Sequence, residues 1–422
     1  MGGNQAGQVR RRRVFYIPGY DPIHPRRYRE LYRTESGEQA RISGYDIALR
    51  ARSGAARYGW HVTAQIDGAN VEAEIDVLVW SDIVRTSMSN SIPATYWQLI
   101  RTAFTYIFTG ALFRLMRLRK GPVIAALYPV GMLLGQLLIA AIAFYYAAHG
   151  IGRLGQFVGR LIWPDLWFSP LFMPTIVAAM ITGLVVGFLV LRWFKARDGR
   201  FFAYYLMHDY AYSARYLGAN PPELEARIAQ FTALIREALA SDVDEVLVVG
   251  HSSGAHVGVS VLADLLRERT PDGPALSFLT LRQVVPMVSF LPRADRLRAD
   301  LAFLSTRDDL TWVDVSAPGD GCAFALCDPV GVTGVAPADK RWPLVISAAF
   351  TQTLSPERWK ALRWRFFRLH FQYLCAFDRP KDYDYFQITA GPSTLGARFK
   401  GRKPSNSRLS DPVSGYRSMR AL

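Results

Sequence analysis

DEVLVVGHSSGAHVGVSVLADLLRE, residues 244–268, joins a strand pattern, a glycine-flanked serine and a helix pattern in one run. A short β-rich run enters Gly250-His251-Ser252-Ser253-Gly254, and a helical pattern leaves it. Two glycines around a serine arise readily by chance, but a strand before and a helix after turn them into a sharp elbow with Ser252 at its tip. Glycine suits both flanks because a larger side chain would collide with neighbouring elements. Ala255 and Gly258 continue a small face, so the new helix can approach the strands while its first N–H groups point toward any anion forming at Ser252.

Outward from the elbow, strand and helix patterns alternate. RRRVFYIPGYDP (11–22) reads as a buried strand stopped by Pro18-Gly19, and HVTAQID (61–67) and EIDVLVW (74–80) are strand-like. PPELEARIAQFTALIREALAS (221–241) has apolar residues at helical spacing with Pro and Glu at its start. Further strand candidates are LTLRQVVPMVSFL (279–291), LTWVDVSAP (310–318) and PLVISAAF (343–350). The alternation predicts an α/β protein whose mostly parallel sheet is covered by helices.

Two interruptions stand inside this pattern. Between Lys120 and Arg153 lie 32 residues without a charged side chain, and between Asp165 and Arg192 lie 26. About 20 apolar residues cross the hydrocarbon layer, so a transmembrane helical hairpin is expected over 121–192, with Trp163, Trp167 and Phe168 near its turn and Trp193 after its exit. Arg114, Arg117, Arg119, Lys120, Arg192, Lys195, Arg197 and Arg200 flank the spans, against Arg153 and Arg160 between them. By the positive-inside rule both flanks, the soluble parts and both termini face the cytoplasm, and the host is the cytoplasmic membrane. VFYIPGY, after Arg10 to Arg13, is too short for a signal peptide, and Ala6 argues against a myristoyl site. Ahead of the first span, the basic segment 99–120 reads equally as an amphipathic helix on the bilayer surface and as a lead-in to the span.

The expected organisation is therefore one α/β domain in two parts, 1–98 and 203–391, the lead-in 99–120, the hairpin 121–192 and a flexible basic tail 392–422. That tail holds seven basic residues and one acidic one. The whole chain has 50 Lys+Arg against 35 Asp+Glu, a net charge of +15, yet only 20% charged and 50% hydrophobic residues, which excludes general disorder. Much of the basic excess falls beside the spans, in Arg10 to Arg13 and in the tail. It reads as topology and surface attraction, with the lipid bilayer as partner and no nucleic acid. Cys322, Cys327 and Cys375 cannot form a disulfide framework or a structural zinc site, so no metal or cofactor is expected, and nothing fixes an oligomeric state.

The strand, elbow and helix around Ser252 resemble the α/β-hydrolase superfamily, nearest its lipase and esterase-like members, across both soluble parts. The resemblance implies a serine, acid, histidine triad in that chain order. After Ser252 and outside the elbow helix, which carries His256, the sequence has only His370, which the resemblance makes the general base. The acid should follow a late strand: Asp320, in Pro-Gly-Asp-Gly beyond LTWVDVSAP, is preferred, with Asp328 as alternative. Asp314 lies within the strand, and Asp308 and Asp309 lie at its wrong end. The backbone N–H of Ser253 supplies one oxyanion donor, and by resemblance Tyr20 in Pro18-Gly19-Tyr20 supplies the other. Two departures stand out: proline replaces the usual histidine of that loop, and the two leading strands of larger relatives have no room. The implied activity is hydrolysis of an ester or thioester, possibly of a lipid; the alternative is a non-catalytic membrane scaffold on the same fold.

Overall fold

The structure, a computed structural model, describes residues 7–21, 24–52, 57–88, 91–162, 172–268 and 273–420. Trp163, Asp165, Trp167 and Phe168 of the expected turn lie outside them.

The chain forms two compact units: Met1–Ser87, Phe104–Ala125 and Ser213–Leu422 make the first, Met88–Ala103 and Ala126–Tyr212 the second. The first unit is α/β. Its strands are β1 (Arg11–Ile17), β2 (Asp46–Ala51), β3 (Gly59–Ile66), β4 (Ala69–Val77), β5 (Glu245–His251), β6 (Ala275–Leu281), β7 (Thr311–Ser316) and β8 (Leu344–Ser347). They lie in one sheet in the order β2-β3-β4-β1-β5-β6-β7-β8. Every pairing from β4 to β8 is parallel; β2 and β3 are antiparallel. All of β5 is buried, as a strand covered on both faces must be. On one face Val14, Tyr16, Leu247 and Val249 join the core with Tyr28 and Tyr32 of the helix Arg26–Ser43. On the other, Gly258 of the helix Gly254–Arg267 lies so close to the Phe278 ring that a Cβ there would come within 2.8 Å of it.

Three expectations change. LTLRQVVPMVSFL is not one strand: β6 begins earlier, at Ala275, and Val285–Ser289 is helical, with Pro286 in its first turn where a missing N–H costs nothing. The strand β2, DIALRA, went unread because its residues are mostly exposed and carry little apolar signal. The described part of the tail, 392–420, is hydrogen-bonded to the rest of the domain. Val9 N–H donates to the Pro392 carbonyl (2.7 Å), Ser405 N–H to Val345 (3.0 Å), Leu409 N–H to Leu326 (2.8 Å) and Val413 N–H to Val332 (2.9 Å). Its Ser, Gly and Pro content suggests solvation, but loop and strand-edge carbonyls give its backbone the partners water would otherwise supply. Of the amino-terminal arginines, Arg11, Arg12 and Arg13 form ion pairs, with Asp242, Glu245, and Glu74 and Asp76 respectively. Arg12 is buried on β1, with Nε donating to Glu245 (2.6 Å) and its terminal nitrogens to the Gly391 and Ser393 carbonyls.

The lead-in is two helices, Ile92–Phe108 and Ala111–Leu118. Ala111, Leu115 and Leu118 are buried in the first unit, where Tyr106 Oη also donates to the Met287 carbonyl. The helix Ile92–Phe108 buries Ile92, Leu99 and Tyr106 but leaves much of its apolar surface outside. Thr95, Thr102 and Thr105 are buried, while Trp97, Ile100, Phe104 and Phe108 point outward and are more than half exposed.

Lys120–Ile162, which lies in the second unit from Ala126 onward, and Phe172–Ala196 are helices long and apolar enough to cross a membrane, and only 28% and 17% of their most apolar windows are buried. A core helix of a soluble protein would be covered. The first does not end at Arg153 but runs 43 residues, about 65 Å at 1.5 Å per residue, so it exceeds a bilayer core. Ala179, Gly183 and Gly187 form the buried stripe of the second; a Cβ on Gly183 would touch the Phe144 ring at 2.8 Å, and one on Gly187 the Ala140 carbonyl at 3.3 Å. This is the small-residue spacing that lets helices meet closely in lipid.

Candidate active site

The carboxyl ends of β1, β5, β6 and β7 lie side by side, so the loops leaving them gather at one end of the sheet. Ser252 directly follows β5, with φ of 57°, a left-handed conformation that L-residues adopt only at a cost. Its N–H donates to the Leu281 carbonyl at the end of β6 (2.9 Å). The neighbouring glycines are obligatory here. A Cβ on Gly254 would fall within 2.5 Å of the Pro18 carbonyl oxygen, and one on Gly250 within 2.7 Å of Ala255 Cα. The turn therefore holds the serine by close backbone contact, and Ser252 is 9% exposed.

The loop after β1 meets this turn. Tyr20 N–H donates to Ser253 Oγ (2.7 Å), and the Pro18 carbonyl accepts from Trp80 Nε1 (2.9 Å), which fixes the loop. The expected oxyanion donor of Tyr20 thus reaches the elbow and is engaged by the Ser253 hydroxyl.

His370, in the helix Phe366–Phe371, also reaches the elbow. Its ring lies 4.6 Å from that of His251, the residue before Ser252, and its carbonyl stands 3.0 Å from His251 Nε2. A carbonyl only accepts, so that nitrogen carries the proton. Burial pushes His251 down to about 3, with the Arg282 charge adding to it, and His251 is neutral. His370 is held well below the usual histidine range, first by desolvation and then by Arg282, His251 and Arg27. The Arg27 guanidinium sits 4.2 Å over the Phe371 ring. Among the described residues neither Ser252 Oγ nor the His370 ring makes a hydrogen bond.

Asp320 lies in the loop beyond β7, 2% exposed. Its Oδ2 accepts from Arg282 Nε (2.6 Å) and Tyr373 Oη (3.3 Å), and its Oδ1 from the Cys322 N–H (3.0 Å). The structure therefore brings Asp320 to the same end of the sheet but couples it to Arg282, with no hydrogen bond to His370. Tyr373, three residues after His370, accepts the Ala317 N–H (3.0 Å) and so ties the histidine segment to the end of β7. Asp328 is occupied by the fold: Oδ1 caps the helix Pro329–Thr333 through the Val330 and Gly331 N–H groups, and Oδ2 pairs with Lys340 (2.7 Å).

Sequence reasoning missed Arg282 and Tyr373. Arg282 is buried, with φ of 49°, directly after β6. A lone arginine closing an apolar strand run was the available signal. Among the described residues no group of three or more His, Cys, Asp or Glu is placed to hold a metal ion. Neither the water-sized cavity lined by Tyr16, Tyr28 and Trp60 nor the larger cavity near β8 is lined by Ser252. No family model matches the chain, and no curated protein or solved structure does either.

Proposed function

We propose that the protein is a membrane-anchored serine hydrolase of the α/β-hydrolase type, cleaving an ester or thioester through Ser252. The observation that carries this reading is the left-handed Ser252 at the tip of a glycine-walled turn between a central parallel strand and a helix. Strain of this kind is kept where the hydroxyl must be presented. The missing leading strands of larger relatives have a counterpart in β2 and β3, which fill that sheet edge from a hairpin inserted after β1.

In this reading Ser252 Oγ attacks the acyl carbonyl carbon and passes its proton to a ring nitrogen of His370. The resulting imidazolium gives that proton to the departing alcohol or thiol, and water then cleaves the acyl-enzyme by the same route. His370 is neutral at physiological pH and so free to accept. The N–H groups of Ser253 and Tyr20 face the developing oxyanion once it displaces the Ser253 hydroxyl from Tyr20. Asp320 is the acid, with one acceptor position left on Oδ1 for His370 once the two come within hydrogen-bond distance. The two exposed apolar helices and the outward aromatic stripe of Ile92–Phe108 support anchoring in a bilayer, and the basic flanks support a cytoplasmic site.

A fluorophosphonate probe applied to the full chain in membranes should label wild type and leave Ser252→Ala unlabelled; equal labelling of both sinks the reading. A non-catalytic scaffold is the second reading, favoured by the Arg282–Asp320 pair and by the lack of a Ser252–His370 hydrogen bond. It requires wild type to resist the probe while remaining folded.

A further inference from the structure

A cavity of about 470 Å³ opens beside the starts of β7 and β8, at the end of the sheet opposite Ser252. Its outer wall is part of the tail, held against the sheet by the Ser405 and Leu409 N–H bonds described above, so the cavity is built from fixed backbone. Five basic side chains line it and no carboxylate does. Two have structural partners: Lys340 pairs with Asp328 (2.7 Å) and Arg402 with Asp382 (2.6 Å). The other three, Arg341, Lys400 and Arg408, have none among the described residues. Arg341 and Lys400 are exposed and Arg408 is half-buried, so the three make a solvent-facing cationic rim around the hollow. The volume falls in the range of small-molecule sites. Arginine forks and a lysine point charge together suit phosphate oxygens.

We propose that this cavity binds a phosphate-bearing ligand carrying at least two negative charges. The site is separate from the Ser252 chemistry and stands whether or not that chemistry operates. Its ligand is either a soluble phosphate compound or the phosphorylated head group of a lipid, and the two are told apart by probe.

The full chain, held in nanodiscs of zwitterionic phosphatidylcholine, is titrated calorimetrically with inorganic pyrophosphate and, separately, with dihexanoyl phosphatidic acid. Saturable binding of at least one probe is expected, weakening as salt is raised. Tighter binding of pyrophosphate assigns a soluble ligand, and tighter binding of the short-chain lipid assigns a head group. Arg341→Gln/Lys400→Gln/Arg408→Gln should lose at least about tenfold in affinity, since each cation removed takes a charge-assisted contact with it. The charge-matched variant Arg50→Gln/Arg293→Gln/Arg363→Gln, at exposed positions away from the cavity, should bind like wild type. If the triple cavity variant fails to fold, the three single variants are measured instead, each weaker than wild type. Absence of saturable binding by both probes overturns the proposal, as does a folded cavity variant that binds like wild type.

Discussion

Replacing Ser252 by Gly and by Ala separates the strain of the turn from the chemistry of the hydroxyl. Neither variant has an Oγ, so any interaction of the hydroxyl is lost equally, and both should resist a fluorophosphonate. What differs is φ of 57°. An L-residue pays about 1–2 kcal/mol there, whereas glycine pays nothing sterically but loses more backbone entropy on folding, about 0.5–1 kcal/mol. Ser252→Gly should therefore be the more stable by about 1 kcal/mol, on the order of 2 °C in Tm for a domain this large. The adjacent residue provides an internal reference of opposite sign. Ser253 has φ of −66° at the start of the helix Gly254–Arg267, so Ser253→Ala should be more stable than Ser253→Gly. Thermal unfolding of the four purified variants in one detergent measures both differences. If Ser252→Ala equals or exceeds Ser252→Gly while the Ser253 pair orders as expected, Ser252 does not occupy a strained elbow, and the argument for a nucleophile loses its support.

Four more outcomes are expected. Arg27→Gln removes a cation that holds His370 down, so the acid limb of the fluorophosphonate rate profile should move to higher pH from a wild-type position well below the ordinary histidine range; an unmoved limb means that His370 is not the titrating base. His256 is buried, its Nδ1 has no partner among the described residues, and burial lowers it to about 4 from 6.5. The unfolded chain then takes up the proton first as pH falls, so about 3 kcal/mol of stability should drain away between pH 6.5 and 4, and replacing His256 with Gln should flatten that slope in a Tm-against-pH series. Gly187→Leu forces a side chain against the Ala140 carbonyl and should lower the thermal stability of the hairpin by about 1–2 kcal/mol, where an exposed Leu184→Ala should not. Asp320→Asn should slow probe labelling by about 10²–10⁴-fold, and Asp320→Asn/Arg282→Met should stay as slow; recovery in the double variant would make Asp320 only the counter-ion of Arg282.

The parts of the fold that were legible in the sequence are those where local pattern and tertiary role coincide. β5 reads as buried because it is covered on both faces, and the glycines at positions 250, 254 and 258 mark contacts that the structure makes at close range. β2 was invisible for the converse reason: an exposed edge strand needs no apolar alternation, only a neighbour's backbone, here that of β3. Basic charge misled in the same way. Arg12 looks like one of a surface cluster, yet its guanidinium is buried against Glu245 and two carbonyls; the tail looks solvated, yet its backbone is held by segments far away in sequence, from Val345 to Gly7. Composition reports side-chain preference, and these segments are fixed by main-chain hydrogen bonds that composition does not encode.

The same distinction explains why the histidine was easier to place than the electrostatics around it. Elimination leads to His370, and the structure sets its ring beside the elbow. What no spacing rule revealed is the buried guanidinium that shares this end of the sheet. Arg282 cannot be deprotonated, and a carboxylate within hydrogen-bond reach is what makes its burial tolerable; Asp320 supplies that carboxylate. One aspartate thus answers two demands, neutralising Arg282 at rest and, in the proposed reaction, stabilising the imidazolium of His370. The first lowers the resting energy of the site and the second lowers a transition state. With Oδ2 held by Arg282 and Tyr373 and Oδ1 by Cys322, three of the roughly four acceptor positions of the carboxylate are filled, and a His370 contact would fall to the one left on Oδ1. The weakest of the three bonds is the 3.3 Å bond from Tyr373, which is also the one that ties the histidine segment to the acid. In the proposed reaction Arg282 can therefore stay paired with Asp320, and that long bond is the one given up to any shift of the histidine segment.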